Sequence, residues 1–219
     1  MRPEFAAILR ALALLASLVG VAVAAQQGPA REQALQSLSR ADPHERREAA
    51  SRLGEIGTVD DVPTLVRTLR DPDNDTRSEA EQALWHIWAR SGDADVDRLY
   101  QAGIEQMNAG DLEQSIATFT RIIELKPDFA EGWNKRATLY FLGGDLRRSL
   151  ADCDEVMKRN PYHFGALAGY AQIYLQLEQY ERALEFARRA LAINPNLDGI
   201  RQMSEALERM LEERRKRMI

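Results

Sequence analysis

The residues of this chain best suited to chemistry are three histidines, one cysteine and a short acidic run. His44, His86 and His163 lie far apart, and none stands at metal-ligand spacing to another histidine or a carboxylate, so no metal site is expected. Cys153 is the single cysteine, which excludes an internal disulfide, a thiolate zinc site and a Cys-x-x-Cys redox pair. It stands at helical spacing from Leu150, Val156 and Met157, a setting that reads as core packing. Asp152, Asp154 and Glu155 flank it. Successive helix residues splay around the axis, so these carboxylates do not converge, and a solvated helix face is expected. His86, flanked by Trp85 and Trp88, is expected to point away from the face that buries them. Gly-x-Ser-x-Gly, Gly-x-x-x-x-Gly-Lys-Ser/Thr and Gly-x-Gly-x-x-Gly are all absent. The expectation is a non-catalytic chain with no cofactor.

Spacing is more informative than chemistry. Pro127, Pro161 and Pro195 follow one another at intervals of 34 residues. Within each interval a face recurs: Leu99-x-x-Ala102-Gly103-x-x-Gln106, Trp133-x-x-Arg136-Ala137-x-x-Tyr140, Leu167-x-x-Tyr170-Ala171-x-x-Tyr174. A second recurs as Ser115-x-x-x-Phe119, Ser149-x-x-x-Cys153 and Ala183-x-x-x-Ala187, where small residues let two helices approach closely. Gly110-Asp111, Gly144-Asp145 and Glu178-Gln179 mark the turn inside each unit, and proline ends it, so each unit is predicted to be a helical hairpin. The three units, 96–129, 130–163 and 164–197, resemble tetratricopeptide repeats. Gln106 and Arg136 depart from that pattern at apolar or aromatic positions, and Cys153 and Ala187 replace an aromatic. Residues 198–219 read as a capping helix, with Ile200, Met203, Leu207, Met210 and Leu211 on one stripe and basic residues at its C-terminal end, where they oppose the helix dipole.

A different repeat lies upstream. Arg46-Arg47-Glu48-Ala49-Ala50-Ser51-Arg52-Leu53 aligns with Arg77-Ser78-Glu79-Ala80-Glu81-Gln82-Ala83-Leu84, and Ile56 and Ile87 keep that offset. Between them Asp60 to Pro72 is predicted to form a second helix, with Pro63 near its start and Asp71-Pro72 at its end. Residues 42–92 resemble short HEAT-type repeats, a scaffold also similar to that of bilin lyases. So few repeats bury little core alone, so they are expected to stack on the first tetratricopeptide hairpin, with Trp85 and Trp88 filling the junction. Residues 26–41 read as a linker or a partial helix completing the first HEAT-like hairpin. The fold class expected is all-α: a right-handed α-solenoid of helical hairpins.

Residues 1–25 have the layout of a cleavable signal peptide. Arg2 and Arg10 precede the apolar run Ala11–Ala24, Ala22-Val23-Ala24 supplies a small-x-small site, and the chain turns polar at Gln26. The run falls short of a membrane span, so contact with a membrane is expected only if the signal is not cleaved. A periplasmic or secreted location is expected. With 45% hydrophobic and 29% charged residues the chain is that of a folded protein, and its net charge of −5 gives no case for nucleic acid.

In the fold that the resemblance implies, the first helix of each hairpin lines a concave surface that holds an extended peptide or a partner helix. Setting aside the packing positions leaves Tyr100, Ile104, Met107 and Asn108 in the first unit, Glu131, Asn134, Thr138 and Phe141 in the second, and Ala168, Gln172 and Leu175 in the third. Apolar anchors mixed with amides suit a peptide backbone carrying a few apolar side chains. Tetratricopeptide clamps for a C-terminal carboxylate are disfavoured, because Tyr100, Ile104, Gly165 and Gly169 occupy the matching places; Arg136 is expected to extend toward solvent. The function expected is a scaffold or adaptor of the bacterial envelope that binds a protein or peptide client. The alternatives are a periplasmic assembly factor holding an exported polypeptide, and an accessory or regulatory subunit of an enzyme.

Overall fold

A computed structural model describes residues 28–217, and these are helical with short connections. The proposed signal peptide and its cleavage point lie outside the described residues. The helices are α1 (28–37), α2 (Pro43–Ile56), α3 (Val62–Thr68), α4 (Asn74–Trp88), α5 (Ala94–Asn108), α6 (Leu112–Leu125), α7 (Ala130–Leu142), α8 (Leu146–Arg159), α9 (Phe164–Gln176), α10 (Tyr180–Ile193) and α11 (Asp198–Arg217). No described helix is long and apolar enough to cross a membrane.

From α5 onward the helices pair as the 34-residue period requires: α5 with α6, α7 with α8, α9 with α10, and α11 against α10. Each hairpin turns at one left-handed residue, Gly110 (φ 80°), Gly144 (φ 77°) and Glu178 (φ 57°), spaced by the same 34 residues. Glycine adopts this conformation without steric penalty and glutamate does not, so the third turn carries local strain that the first two avoid. Asp111 and Asp145 follow the glycines and accept the backbone N–H of Gln114 and Arg148 as N-caps. Close approach inside the hairpins rests on small residues. Ser115 Oγ donates to the Gly103 carbonyl at 2.9 Å and Ser149 Oγ to the Ala137 carbonyl at 2.8 Å, one repeat apart. The Phe119 ring occupies the space a Cβ at Gly103 would need.

The N-terminal unit is built differently. Residues 28–37 are not a tether, because α1 buries Ala34 in the core shared by α2, α3 and α4. Arg31 grips buried Asp61 through two hydrogen bonds of 2.7 Å. Arg46 does the same to Asp71 at 2.8 Å and also donates to the carbonyls of Arg40 and Ala41, tying the α1–α2 loop to the end of α3.

Where this unit docks differs from the expectation. Trp85 and Trp88 do not fill a junction with the first hairpin. They pack on His163 and Phe164, at the boundary between the second and third repeats. Phe164, with no exposed surface, belongs to the N-terminal core, and Ile193 and Leu197 pack against the same cluster. Polar contacts follow the same edge. Arg70 donates to the carbonyls of Ala192 and Ile193, Arg77 to the Asn196 side chain, Asn194 to Glu81, and Asn196 to the Leu69 carbonyl. The unit therefore lies along the loops joining successive repeats. Gly165 is the local reason: a Cβ there would stand 2.6 Å from the Trp85 ring, so only glycine leaves the ring its seat.

Two smaller expectations are also corrected. Asp152 is buried, 4% exposed, because Arg136 from the facing helix holds both its oxygens at 2.7 and 2.8 Å; Arg136 therefore makes an internal ion pair instead of reaching for solvent. Asp154 stays exposed but accepts the Tyr170 hydroxyl.

Candidate binding groove

The first helices of the hairpins, α5, α7 and α9, carry all eleven residues singled out for the groove, and the structure divides them into three groups. Tyr100, Glu131 and Asn134 are buried, 6%, 1% and 9% exposed. Burial takes Tyr100 and Glu131 off the open surface, whereas Asn134 also lines the pocket between α7 and α9. Ile104 and Met107 are half-buried against the core of the first repeat, and Asn108 is exposed at the end of α5. Thr138, Phe141 and Ala168 are half-buried, whereas Gln172 and Leu175 are exposed.

The buried group forms an internal network around Glu131. His163 Nδ1 accepts the Ala166 backbone N–H at 3.0 Å as the N-cap of α9, so the proton sits on Nε2, which donates to Glu131 Oε1 at 2.7 Å. Asn134 Nδ2 reaches both carboxylate oxygens at 3.2 and 3.1 Å, Tyr100 Oη donates more weakly at 3.4 Å, and Lys135 Nζ lies 3.6 Å away. Burial alone pushes the Glu131 carboxyl up. The hydrogen bond from His163, with Lys135 and Asn134, more than offsets it, and the group stays ionised well below the usual carboxylate range. The Tyr100 phenol is pushed up by burial and by Glu131, so it stays protonated as a donor. The Trp88 indole covers this network, stacking on His163 with centroids 4.7 Å apart, and Trp85 meets the same ring edge-on at 5.5 Å.

What remains open is a pocket of about 120 Å³ between α7 and α9, floored by α8. Thr138 and Phe141 line one side, and Ala168, Gly169 and Gln172 the other. Ser149 and Cys153 form part of its lining from α8. The Cys153 thiol is pushed up to about 12, first by burial and then by Asp152 and Asp154, so it offers no thiolate nucleophile at neutral pH. Among the described residues no group of three or more histidine, cysteine, aspartate or glutamate side chains is placed to hold a metal ion. His86 is exposed, on the face away from the two tryptophans' packing partners.

His163 holds a role in this network that its distance from the other histidines does not suggest. The periodicity carries its signal. One repeat earlier the position is Phe129 and one repeat later Leu197, so a histidine stands where neighbouring units place an apolar side chain. A polar residue at a core position of a repeat needs a buried partner.

Comparison with known proteins agrees with this architecture. One tetratricopeptide-repeat model matches residues 100–164 and another residues 140–203. A HEAT-repeat model matches residues 6–85. The chain carries HEAT repeats followed by tetratricopeptide repeats. The HEAT match begins inside the segment read above as a signal peptide. A TPR repeat-containing protein of Rhizobium etli is 34% identical over 134 residues, and the aligned part spans 58% of this chain and 65% of that relative.

Among solved structures, the Sgt2 TPR domain of Aspergillus fumigatus superposes with a TM-score of 0.53 at 18% identity, covering 57% of this chain and 83% of that one. The first TPR of Spaghetti (RPAP3), solved with an HSP90 peptide bound, gives 0.52 at 19% identity, covering 53% and 93%. MamA of Desulfovibrio magneticus gives 0.50 at 21%, covering 76% and 88%. At these identities the likeness is one of fold, and the fold is typical of protein–protein interaction modules.

Proposed function

We propose that this chain is an exported, non-catalytic scaffold of the bacterial envelope that holds an extended segment of a protein client over α7 and α9. The observation that carries the reading is the open strip of Thr138, Phe141, Ala168 and Gln172, which Asn134 also lines, beside the buried Tyr100–Glu131 pair. Phe141 offers apolar area, Gln172 and Thr138 offer hydrogen bonds to a peptide backbone, and Ala168 and Gly169 let that backbone come close. The export signal in residues 1–25 supports the compartment, and the peptide-bound Spaghetti domain supports the type of ligand by analogy of fold.

A pull-down from envelope extract tests this with protein starting at Gln26. Gln172→Glu and Phe141→Ala should each lose the retained client while keeping the helical circular dichroism of the parent. Equal retention by both variants would move the client surface elsewhere.

A further inference from the structure

A cleft separate from the groove lies where the N-terminal unit meets the loops between repeats, and it has a volume of about 370 Å³, within the range of small-ligand sites. Val62 and Pro63 form an apolar wall on one side and Phe129 on the other. Val59, 70% exposed, and Tyr162, 38% exposed, stand at its rim.

The polar groups of this cleft are mostly donors. Arg90, Lys126 and Arg159 line it, with Asp128 the one carboxylate beside them, in a chain whose net charge is −5. Lys126 lies 3.7 Å from Asp128, and Arg159 pairs with Glu155 at 2.6 Å. Arg90 is different. It donates to the carbonyls of Gly54 and Gly57 at 2.6 and 2.7 Å, and no carboxylate comes within ion-pair distance among the described residues. Trp88, 6% exposed, also lines the cleft, and its Nε1 is a buried donor with no acceptor. A buried N–H without a partner costs about 1–3 kcal/mol, so the Trp88 donor calls for an acceptor, and Arg90, an exposed cation whose charge is met only at longer range by Asp97, lines the same cleft.

We infer that this cleft is a binding site for a carboxylate carried on an apolar group, the carboxylate facing Arg90, Lys126 and the Trp88 indole N–H and the apolar part lying between Pro63 and Phe129. A free organic acid and the C-terminal residue of a peptide share this chemistry. Because the cleft is formed by both halves of the chain, occupancy also ties the N-terminal unit to the repeats. The proposal is independent of the client strip over α7 and α9.

The test uses the protein from Gln26 onward with 15N-labelled tryptophan, so that the three indole N–H signals report separately and Trp88→Phe assigns one of them. Titration with 3-phenylpropionate should shift the Trp88 signal saturably, and uncharged 3-phenylpropanamide should do so at least roughly tenfold more weakly. Lys126→Glu should weaken the acid by a similar factor. Val59→Asp, at an exposed rim position that leaves packing intact, should weaken it too. The tripeptide Ala-Leu-Phe with a free or an amidated C-terminus separates the sources: binding of the free form supports a peptide tail, and binding of phenylpropionate alone supports a free acid. Amide and acid binding equally, affinity unchanged in both variants, or no saturable shift from any probe at millimolar concentration would overturn the site.

Discussion

Replacing Phe164 by alanine lowers the unfolding free energy by about 3–5 kcal/mol, the usual cost of removing a fully buried phenylalanine. The ring has no exposed surface, sits 5.2 Å from Trp85 and 5.1 Å from Trp88, and is the one fully buried repeat side chain in the N-terminal core. Its loss opens a cavity among rings that cannot collapse into it, since Trp85 already fills the space beside Gly165 and Trp88 is stacked on His163. Denaturant unfolding followed by circular dichroism measures the effect. Leu142→Ala, at a position 58% exposed, serves as control and shifts stability by no more than about 0.5 kcal/mol. Similar losses from both would mean that the N-terminal unit is not docked on Phe164.

Glu131→Leu has a comparable cost for a different reason. Removing the carboxylate strands the His163 Nε2 proton, the Asn134 amide and the Tyr100 hydroxyl, and leaves Lys135 without its anion; breaking a buried charged cluster in this way costs about 3–5 kcal/mol. Glu131→Gln keeps an acceptor oxygen in place and should lose less. The pH dependence follows from the same geometry. The folded carboxyl titrates near 2, below its ordinary 4.5, so its contribution is complete above the ordinary value and disappears as the pH falls from 4.5 toward 2. Thermal unfolding over that range should show a steeper acid loss for the parent than for Glu131→Gln. Parallel curves would contradict an ionised, hydrogen-bonded Glu131.

These two residues also show why the sequence was legible in one respect and not another. The hairpins could be read because their determinants are local and periodic: a turn residue at 110, 144 and 178, a proline at 127, 161 and 195, and a small residue wherever two helices touch. The residues that dock the N-terminal unit do not repeat. Phe164, Gly165, Asn194 and Asn196 meet partners more than 70 residues earlier in the chain, and no spacing rule links them to Trp85, Arg70 or Arg77. The burial of Tyr100 and Glu131 depends on His163, which bonds Glu131 from the next repeat and is itself stacked on Trp88, and no concave-face position reveals that by spacing. A periodic comparison would have found part of this, since His163 interrupts the apolar series of Phe129 and Leu197. The burial of Asp152 is equally invisible to local spacing, because its partner Arg136 comes from a different helix.

The proposed function places the client on the strip of α7 and α9. Photo-crosslinking tests this directly, with a benzophenone amino acid placed at exposed Gln172 or at exposed Gln101 on α5 in protein exposed to envelope extract. An adduct that forms from position 172, is absent from position 101 and is lost when Phe141→Ala is combined with the probe is the expected result. Adducts from position 101 alone, or adducts at 172 indifferent to Phe141, would place the client on another face.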